Sequence, residues 1–224
     1  MRLSIQGIDF QVDISEGKRT VLQICNKKLL RGVIESIHFK MLGGVTNDIV
    51  ILDEEISLTT GICMIDSLQD IDVNTKKNVN QLYKKIEESL NINYDSKIQI
   101  MSFVELIGNL IDDESMNFSF SICRNEDLAI SDLLKMFNYK IDCSLTKILD
   151  KLYSFVDIMF EFRSYKLLVF LNLSFYLSDS ELIEFLGYMD GNKIPYLLIE
   201  SEGYKRKSNE TIYLIDDELF EYVD

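Results

Sequence analysis

The sequence predicts an α/β fold: a largely parallel sheet with an inserted helical lobe. Apolar runs of strand length alternate with amphipathic helical segments through the second half of the chain. The run KLLVFLN at 166–172 is almost continuously apolar, which is typical of a strand covered on both faces. The segment 72–136 favours helices instead. We therefore expect a discontinuous α/β head over 1–71 and 137–224 and a helical leg over 72–136.

The first third of the chain predicts strands joined by turns and one helix. The predicted strands are RLSIQ (2–6), RTVLQI (19–24), NDIVIL (47–52) and GICMIDSL (61–68). A helix is expected over 26–40, followed by a loop that Gly43 and Gly44 punctuate.

Two adjacent helices are predicted in the leg. Asp72 or Asn74 can cap the first, because both side chains accept hydrogen bonds from a first helical turn. Its apolar residues recur at the spacing of one buried stripe: Val79, Leu82, Tyr83, Ile86 and Leu90. The second helix is expected over 97–113, with a wide apolar face that includes Ile100, Phe103, Val104, Ile107 and Ile111. The short joint between them indicates a helical hairpin.

The remaining chain alternates between helices and strands. Helices are predicted over 126–137, 144–160 and 178–190, and strands over 139–142, 166–172, 195–201 and 210–216, before a short acidic tail at 217–224. Ser178, with Glu181 three residues later, forms the pattern of a capping box, so the start of the third helix is well specified.

Charge and composition narrow the classes of function. The net charge of −14 over 224 residues argues against indiscriminate adhesion to nucleic acid or to anionic membranes. It leaves DNA binding open, because phosphate contacts depend on where Lys and Arg lie. Four scattered Cys and one His argue against a structural zinc site. No apolar run approaches the roughly 18 residues of a membrane span, and the start lacks the apolar block of a signal peptide. We expect a cytoplasmic protein.

The residues at the carboxyl end of the 166–172 strand bear on catalysis, because ligands of doubly wound sheets bind there. Asn172 occupies the position where a nucleotide-binding protein would carry an acidic metal ligand, and an amide does not supply that charge. EGKRT at 16–20 resembles a phosphate loop but lacks its earlier glycine, and Arg19 displaces the hydroxyl. A small nucleotide-dependent enzyme or switch with an atypical loop at 16–20 stays an alternative, as does a structural assembly partner without a ligand.

A family resemblance rests on a series of segments. DVNT at the start of a helix, LIGNLIDDE, FNYKID, KLLVFLN, LSDSELIEFLGYM, YLLIES and YLIDDELF follow one another as in the type II-A CRISPR adaptation protein, the ring-forming, DNA-end-binding member of that gene cluster. The resemblance covers roughly 72–220 well and the first seventy residues loosely. The match lies in the series, since none of the segments is diagnostic alone.

The resemblance implies a degenerate P-loop-type α/β head with a helical leg, assembled into a homotetrameric ring. It implies threading of linear double-stranded DNA through a positively lined hole, calcium binding, and action with the integrase and effector nuclease of the same system during spacer acquisition. It implies no catalysis by the chain itself. The family's calcium site follows the LIG helix, where this chain has Asn117 and Ser119 in place of carboxylates. Four carboxylates remain as candidate calcium ligands: Glu114, Glu126, Asp127 and Asp132. Glu114 can equally lie at a solvated helix end, and Glu126 and Asp127 can equally favour the N-terminus of a helix.

Candidate DNA contacts are chosen from the positions of the cations. The leg helix carries Lys76, Lys77, Lys84 and Lys85 on the side away from its apolar stripe, and the first helix carries Lys27, Lys28 and Arg31. The densest basic triplet is Lys205–Lys207. Any one of these cations can simply be solvated, and Lys84 with Glu88 has the spacing of an ordinary helical ion pair. As a set, they predict contact with the DNA backbone without base readout.

Overall fold

A computed structural model describes residues 1–54, 56–58, 61–69, 71–125, 128–142, 144–163 and 165–224. The chain divides into two compact units. An α/β unit contains Met1–Asp72 and Cys143–Asp224, and a helical unit contains Val73–Asp142. No described helix is long and apolar enough to cross a membrane.

Strands and helices are numbered along the chain. The strands are β1 (Arg2–Ile5), β2 (Val12–Asp13), β3 (Arg19–Ile24), β4 (Ile49–Asp53), β5 (Ile56–Ser57), β6 (Ile62–Ile65), β7 (Leu167–Leu171), β8 (Tyr196–Glu200), β9 (Glu210–Ile215) and β10 (Glu221–Val223). The helices are α1 (Lys27–Met41), α2 (Lys76–Ile92), α3 (Tyr94–Ser115), α4 (Ile130–Met136), α5 (Ile148–Phe162) and α6 (Asp179–Gly191), and a short 3₁₀ turn follows β7 at Leu173–Phe175.

The central sheet of the α/β unit joins six of the described strands in the order β10-β9-β3-β8-β7-β6. β3, β6, β7, β8 and β9 run parallel, and only the edge strand β10 is antiparallel. Four of the five residues of β7 are buried, as the apolar run at 166–172 predicted, and every residue of β8 is buried too. The largely parallel sheet expected from the sequence is therefore confirmed.

Both faces of this sheet are covered. On one face lie α1 and a smaller antiparallel sheet with the order β2-β1-β4-β5, whose apolar residues join the same core. On the other face α6 packs against the sheet, with the rings of Phe170 in β7 and Phe185 in α6 centred 5.6 Å apart. The predicted strands at 2–6 and 47–52 form, but they belong to the smaller sheet, whose short strands β2 and β5 the sequence did not indicate.

The core of the helical unit forms where α2 meets α3 and α4. Tyr83, Ile130 and Leu134 are buried there, and the predicted stripe of α2 packs around them. Thr75, and not Asp72 or Asn74, is the N-cap of α2. Asn74 instead pairs with the backbone of Ile141, donating one hydrogen bond and accepting another.

Residues 139–142 were wrongly predicted as a strand. They form no regular element, because Ile141 is held by Asn74 and the carbonyl oxygen of Tyr139 accepts a hydrogen bond from the hydroxyl of Tyr83. These contacts attach 137–142 to the helical unit, although the sequence placed them in the head. The capping box at the start of α6 is confirmed: Ser178 accepts from the N–H of Glu181, whose carboxylate accepts from the N–H of Ser178.

The acidic end of the chain is also more ordered than predicted. Glu221–Val223 forms β10 and pairs with β9. The two carboxylate oxygens of Glu221 accept hydrogen bonds from the backbone N–H groups of Asp9 and Phe10, at 2.8 and 2.9 Å. The sequence showed the charge of this segment but not its partner, which lies at the other end of the chain.

Candidate nucleic-acid interface

The lysines of α2 lie on its exposed side. Lys76, Lys77 and Lys84 are exposed and Lys85 is half-buried, while the residues of the apolar stripe face α3 and α4. Lys84 approaches Glu88 at 3.8 Å, but both side chains are more than half exposed, so this pair holds the ammonium group only weakly. The arrangement presents several ammonium groups on one side of a helix that its own unit holds in place.

The cations of α1 lie at the carboxyl edge of the central sheet, beside carboxylates. Asn26 caps this helix by accepting from the N–H groups of Lys28 and Leu29, and its amide donates to the carbonyl oxygen of Asp217. Burial raises the pKa of the adjacent Cys25 thiol, and the charges of Asp217, Glu202 and Asp216 raise it further. Lys27 and Lys28 are exposed, and Arg31 approaches Glu35 at 3.9 Å. The negative surroundings make this group a weaker phosphate site than the lysines of α2.

The basic triplet Lys205–Lys207 is largely neutralised within the protein. Arg206 forms an ion pair with Asp224, and Lys207 binds Asp179 at 2.7 Å with only 7% of its side chain exposed. The pKa of Asp179 is lowered, chiefly by that hydrogen bond from Lys207. Two of the three cations therefore stabilise the loop between β8 and β9.

EGKRT at 16–20 does not occupy the position of a phosphate loop. Its first three residues precede β3 and its last two begin that strand, whereas a phosphate loop lies between a strand and the helix that follows it. The hydroxyl of Thr20 is buried and donates to the carbonyl oxygen of Asp13, and the guanidinium of Arg19 binds Asp190 at 2.8 Å. Only Cys25 and Asn26 separate β3 from α1. The alternative of an atypical phosphate loop at 16–20 is therefore wrong.

Structural hydrogen bonds occupy the side chains at the carboxyl ends of β7 and β8. Asn172, in a left-handed backbone conformation with φ 50°, accepts from the N–H of Ser201. Glu200 is 1% exposed and accepts two hydrogen bonds from Ser174, through its N–H and its hydroxyl. Burial raises the pKa of Glu200, and these hydrogen bonds oppose the rise. The sequence did not single out Glu200, whose burial depends on the packing of the loop after β7.

The predicted calcium ligands are only partly described. Glu126 and Asp127 lie outside the described residues. Asp132 accepts from Lys135 and from the N–H of Ala129, which lower its pKa in that order, and Glu114 is exposed. Among the described residues no group of three His, Cys, Asp or Glu side chains lies close enough to hold a metal ion. Glu114 and Asp132 alone do not make a calcium site, so calcium binding stays a prediction.

The surface of α3 is unusually apolar for an exposed helix. None of its residues is buried. Large apolar side chains remain more than half exposed along its length: Phe103, Leu106, Ile107, Leu110 and Ile111. The predicted wide apolar face is present. Within the described part of the chain, Ile100 and Met101 of α3 pack against the core of the helical unit.

The sequence patterns did not indicate a role for Arg124, or for the pair Arg163 and Lys193. Arg124 packs against Gly108 of α3, where its guanidinium binds Asp112 at 3.3 Å and Asn109 at 3.0 Å. Arg163 and Lys193 line one cavity with Lys166 in the α/β unit. For Arg124, a glycine inside a predicted helix is a usable signal that another group packs there. Nothing in the sequence pattern connects residues 163 and 193.

Comparison with known proteins decides the family. The family described as CRISPR-associated protein (Cas_Csn2) matches residues 44–219. The chain belongs to this family. The resemblance drawn from its sequence is therefore confirmed, and with it a role among the proteins of CRISPR adaptation.

Individual relatives agree with this assignment. A CRISPR-associated protein Csn2 from Enterococcus faecalis is 22% identical over 161 residues, which cover 72% of each chain. The crystal structure of Stu0660 of Streptococcus thermophilus aligns with 100% of this chain and 76% of its own, with a TM-score of 0.64 at 17% identity, and so shares the fold. MJ1267, an ATP-binding cassette of an ABC transporter, aligns with a TM-score of only 0.47 at 10% identity, so the P-loop resemblance stays a prediction.

Proposed function

We propose that the chain binds the ends of linear double-stranded DNA through backbone phosphates, as a ring-shaped homotetramer that supports spacer acquisition. The observation that carries the proposal is the set of lysines on one side of α2, three of them exposed and Lys85 half-buried, in a member of a CRISPR-associated family. Ammonium groups in such a row bind successive phosphates without reading bases. The overall charge of −14 disfavours indiscriminate adhesion of the protein to DNA.

The exposed apolar face of α3 supports assembly. An apolar helix face that its own chain leaves in water marks an interaction surface. A second copy of the chain provides an equally apolar face, so a symmetric pairing of α3 helices covers both at once. Such pairing is one of the contacts that a closed ring requires.

The hydrogen bonding at the carboxyl edge of the sheet supports a role without catalysis by the chain itself. Asn26 already caps the first turn of α1, and the side chains of Asn172 and Glu200 are bound to neighbouring backbone and to Ser174. The residues at the usual nucleotide position are thus used to hold strands and loops together. We propose that calcium, held by ligands that include Glu114 and Asp132, and the integrase and effector nuclease of the same system complete the assembly.

DNA binding is tested with one plasmid in two forms. We expect the linearised plasmid to bind much more tightly than the covalently closed circle, because a ring is loaded from a free end. Affinity for the linear form should fall roughly a thousandfold from low to moderate salt, since each neutralised phosphate releases a condensed counterion. Equal binding of closed circles contradicts threading, and no binding of any duplex with or without calcium contradicts the proposal altogether.

Two variants of equal charge locate the DNA contacts. The first replaces the lysines of α2 by alanine: Lys76, Lys77, Lys84 and Lys85. The control replaces four exposed lysines elsewhere: Lys18, Lys140, Lys147 and Lys205. We expect a shallower salt dependence and weaker binding for the first variant only. An equal loss in both indicates that net charge, and not the α2 surface, determines binding.

Assembly is tested by native mass with and without calcium. Ile107→Glu places a charge in the middle of the apolar face of α3, and we expect it to reduce the tetramer to a smaller species. Ile107 is 56% exposed and lies outside the core of the helical unit, so the helical content by circular dichroism should not change. A monomeric mass for the unmodified protein at micromolar concentration contradicts the ring.

A further inference from the structure

A small cavity lies at the amino ends of β7 and β8, where α5 and α6 end. Its volume is about 110 Å³. Six of its lining residues are apolar: Met159, Phe160, Leu167, Leu168, Ile194 and Pro195. A cavity of roughly 150 Å³ accommodates a benzene molecule, so this one suits a single aliphatic side chain.

Three cations line the same cavity. Arg163 follows α5, Lys166 precedes β7, and Lys193 lies between α6 and β8. All three are exposed, and Lys166 has one carboxylate partner, Asp53, at 3.0 Å. Within the described part of the chain, Arg163 and Lys193 form no ion pair. In a protein with a net charge of −14, this is a local positive site with an apolar interior.

The backbone at two of these cations is unfavourable for their residue type. Arg163 has φ 47° and Lys193 has φ 53°, in the left-handed region that favours glycine at the end of a helix. At Lys193 the geometry is that of a helix C-terminus, with the N–H groups of Lys193 and Ile194 donating to the carbonyl oxygens of Asp190 and Met189. Both helix ends therefore carry a cation where glycine would suit the backbone better, so the fold tolerates glycine at either position.

The other charges near this edge of the sheet are balanced or already bound. An added Cβ at Gly17 would lie 3.8 Å from the carbonyl oxygen of Asp190, the same oxygen that accepts from the N–H of Lys193, and the exposed Lys18 follows Gly17 in the chain. The carboxylate of Asp190 is already bound to Arg19 and Tyr196. Glu16 is the exposed carboxylate beside Lys18 in the chain.

We propose that this cavity is a docking site for an acidic peptide segment of a partner protein, anchored by one aliphatic side chain. The aliphatic group fills the apolar interior, and carboxylates on either side of it approach Arg163, Lys166 and Lys193. Electrostatic complementarity of this kind selects the partner and accelerates its association. The proposal does not depend on DNA binding, because these cations lie at the opposite edge of the sheet from the α1 cations and in the other unit from the α2 lysines.

The apolar interior distinguishes a peptide from nucleic acid. A DNA backbone offers phosphates and sugars, which bind exposed cations and leave an apolar cavity unfilled. A peptide with an aliphatic residue between acidic ones satisfies both parts of the site, as in other recognition of acidic motifs by clustered cations.

Fluorescence polarisation with a labelled peptide, EDELDED, tests the proposal on the full chain. The controls are EDEGDED, which lacks the anchor, and a labelled 20-base-pair duplex. We expect EDELDED to bind more tightly than EDEGDED, and its affinity to fall with salt. Removing two exposed cation contacts should weaken the binding of EDELDED about tenfold.

Arg163→Gly and Lys193→Gly separate binding from folding. Glycine removes the charge and also relieves the left-handed backbone, so each variant should have an unchanged or higher melting temperature while the double variant loses peptide affinity. Lys28→Ala, an exposed cation at the opposite edge of the sheet, should leave peptide binding unchanged. Equal binding of EDELDED and EDEGDED, or unchanged peptide binding in the double variant, overturns the proposal. A loss of duplex affinity without a loss of peptide affinity assigns the cations to DNA and also overturns it.

Discussion

Replacing Asp190 by asparagine should destabilise the α/β unit strongly, because it leaves a positive charge without its partner inside the protein. The Nε atom of Arg19 lies 2.8 Å from one carboxylate oxygen of Asp190, and the other oxygen accepts from the hydroxyl of Tyr196 at 2.7 Å. The side chains of Arg19 and Asp190 are 11% and 23% exposed. Among the described residues, the guanidinium also donates to the carbonyl oxygen of Ser208, at 3.3 Å, and the charge of Glu210 acts on it more weakly than that of Asp190.

Breaking a buried ion pair on one side costs about 3–5 kcal/mol of the free energy of unfolding, well above the 0–1 kcal/mol of an exposed pair. Because Asp190 keeps some exposure, we expect the lower part of this range, about 3 kcal/mol. For a chain of this size, that corresponds to a decrease in melting temperature of roughly 6–12 °C. The loss should appear in the unfolding of the α/β unit, because both residues belong to it.

Urea unfolding followed by far-ultraviolet circular dichroism measures this change, since the chain has no Trp for a fluorescence signal. Lys18→Ala is the matched control: it removes an exposed cation next to Arg19 and should change the free energy by less than about 0.5 kcal/mol. A loss below about 1 kcal/mol for Asp190→Asn refutes the argument, because it shows that solvent compensates Arg19 once its partner is neutral.

Three further changes test other parts of the structure. As the pH falls from 7 towards 5, the free energy of unfolding of the unmodified protein should rise relative to that of Glu200→Gln. Burial raises the folded-state pKa of Glu200 above its unfolded value, so the folded state takes up the proton first. Parallel pH profiles of the two proteins contradict this. Gly108→Ala adds a methyl group where Arg124 now lies, so α3 gains about 1 kcal/mol of helix stability and the partly exposed contact of Arg124 with Asp112 is lost. The free energy of unfolding from thermal unfolding should therefore change by less than about 1 kcal/mol. A large loss shows that Arg124 stabilises the unit more than its exposure indicates. Ser178→Ala should cost about 1 kcal/mol in the same measurement by removing the cap of α6. Ser180→Ala, two residues further on in the same turn, should cost less, because its hydroxyl contacts that of Ser178 and is not the cap of the helix.

The parts of the fold that the sequence predicted correctly are those in which neighbouring residues determine the structure. The capping box of Ser178 and Glu181 lies within one helical turn, and the stripe of α2 recurs at helical spacing, so both are visible as local patterns. The apolar runs of β7 and β8 predicted buried parallel strands for the same reason.

The wrong predictions lie where contacts with a residue far away in the chain determine the local structure. The segment 139–142 alternates like a strand, but Asn74 binds its backbone and draws it to the helical unit. The end of the chain resembles an acidic tail, but it pairs with β9 and binds the N–H groups of Asp9 and Phe10. EGKRT resembled a phosphate loop in composition alone, since the strand predicted over 19–24 already placed the helix of 26–40 beyond it.

The candidate sites show the same difference between what neighbouring residues determine and what distant residues determine. Helical spacing was enough to place the lysines of α2 opposite the apolar stripe. The cavity cations Arg163 and Lys193 come together only because α5 and α6 end at the same edge of the sheet. The charges that act on Cys25, just before α1, come from Glu202, Asp216 and Asp217, far along the chain.

The order of strands in the central sheet has a consequence for how the protein folds during translation. β3 lies between β8 and β9, which the ribosome makes only after the whole helical unit. At about 5–20 residues per second, an apolar strand stays without either neighbour for on the order of ten seconds. The helical unit, whose contacts are local, can form in that interval, while the first strands depend on chaperones or on the small antiparallel sheet to keep β3 from aggregating. Slowing translation anywhere between β3 and β8 should therefore lower the yield of soluble protein more than slowing it after β9 has been made.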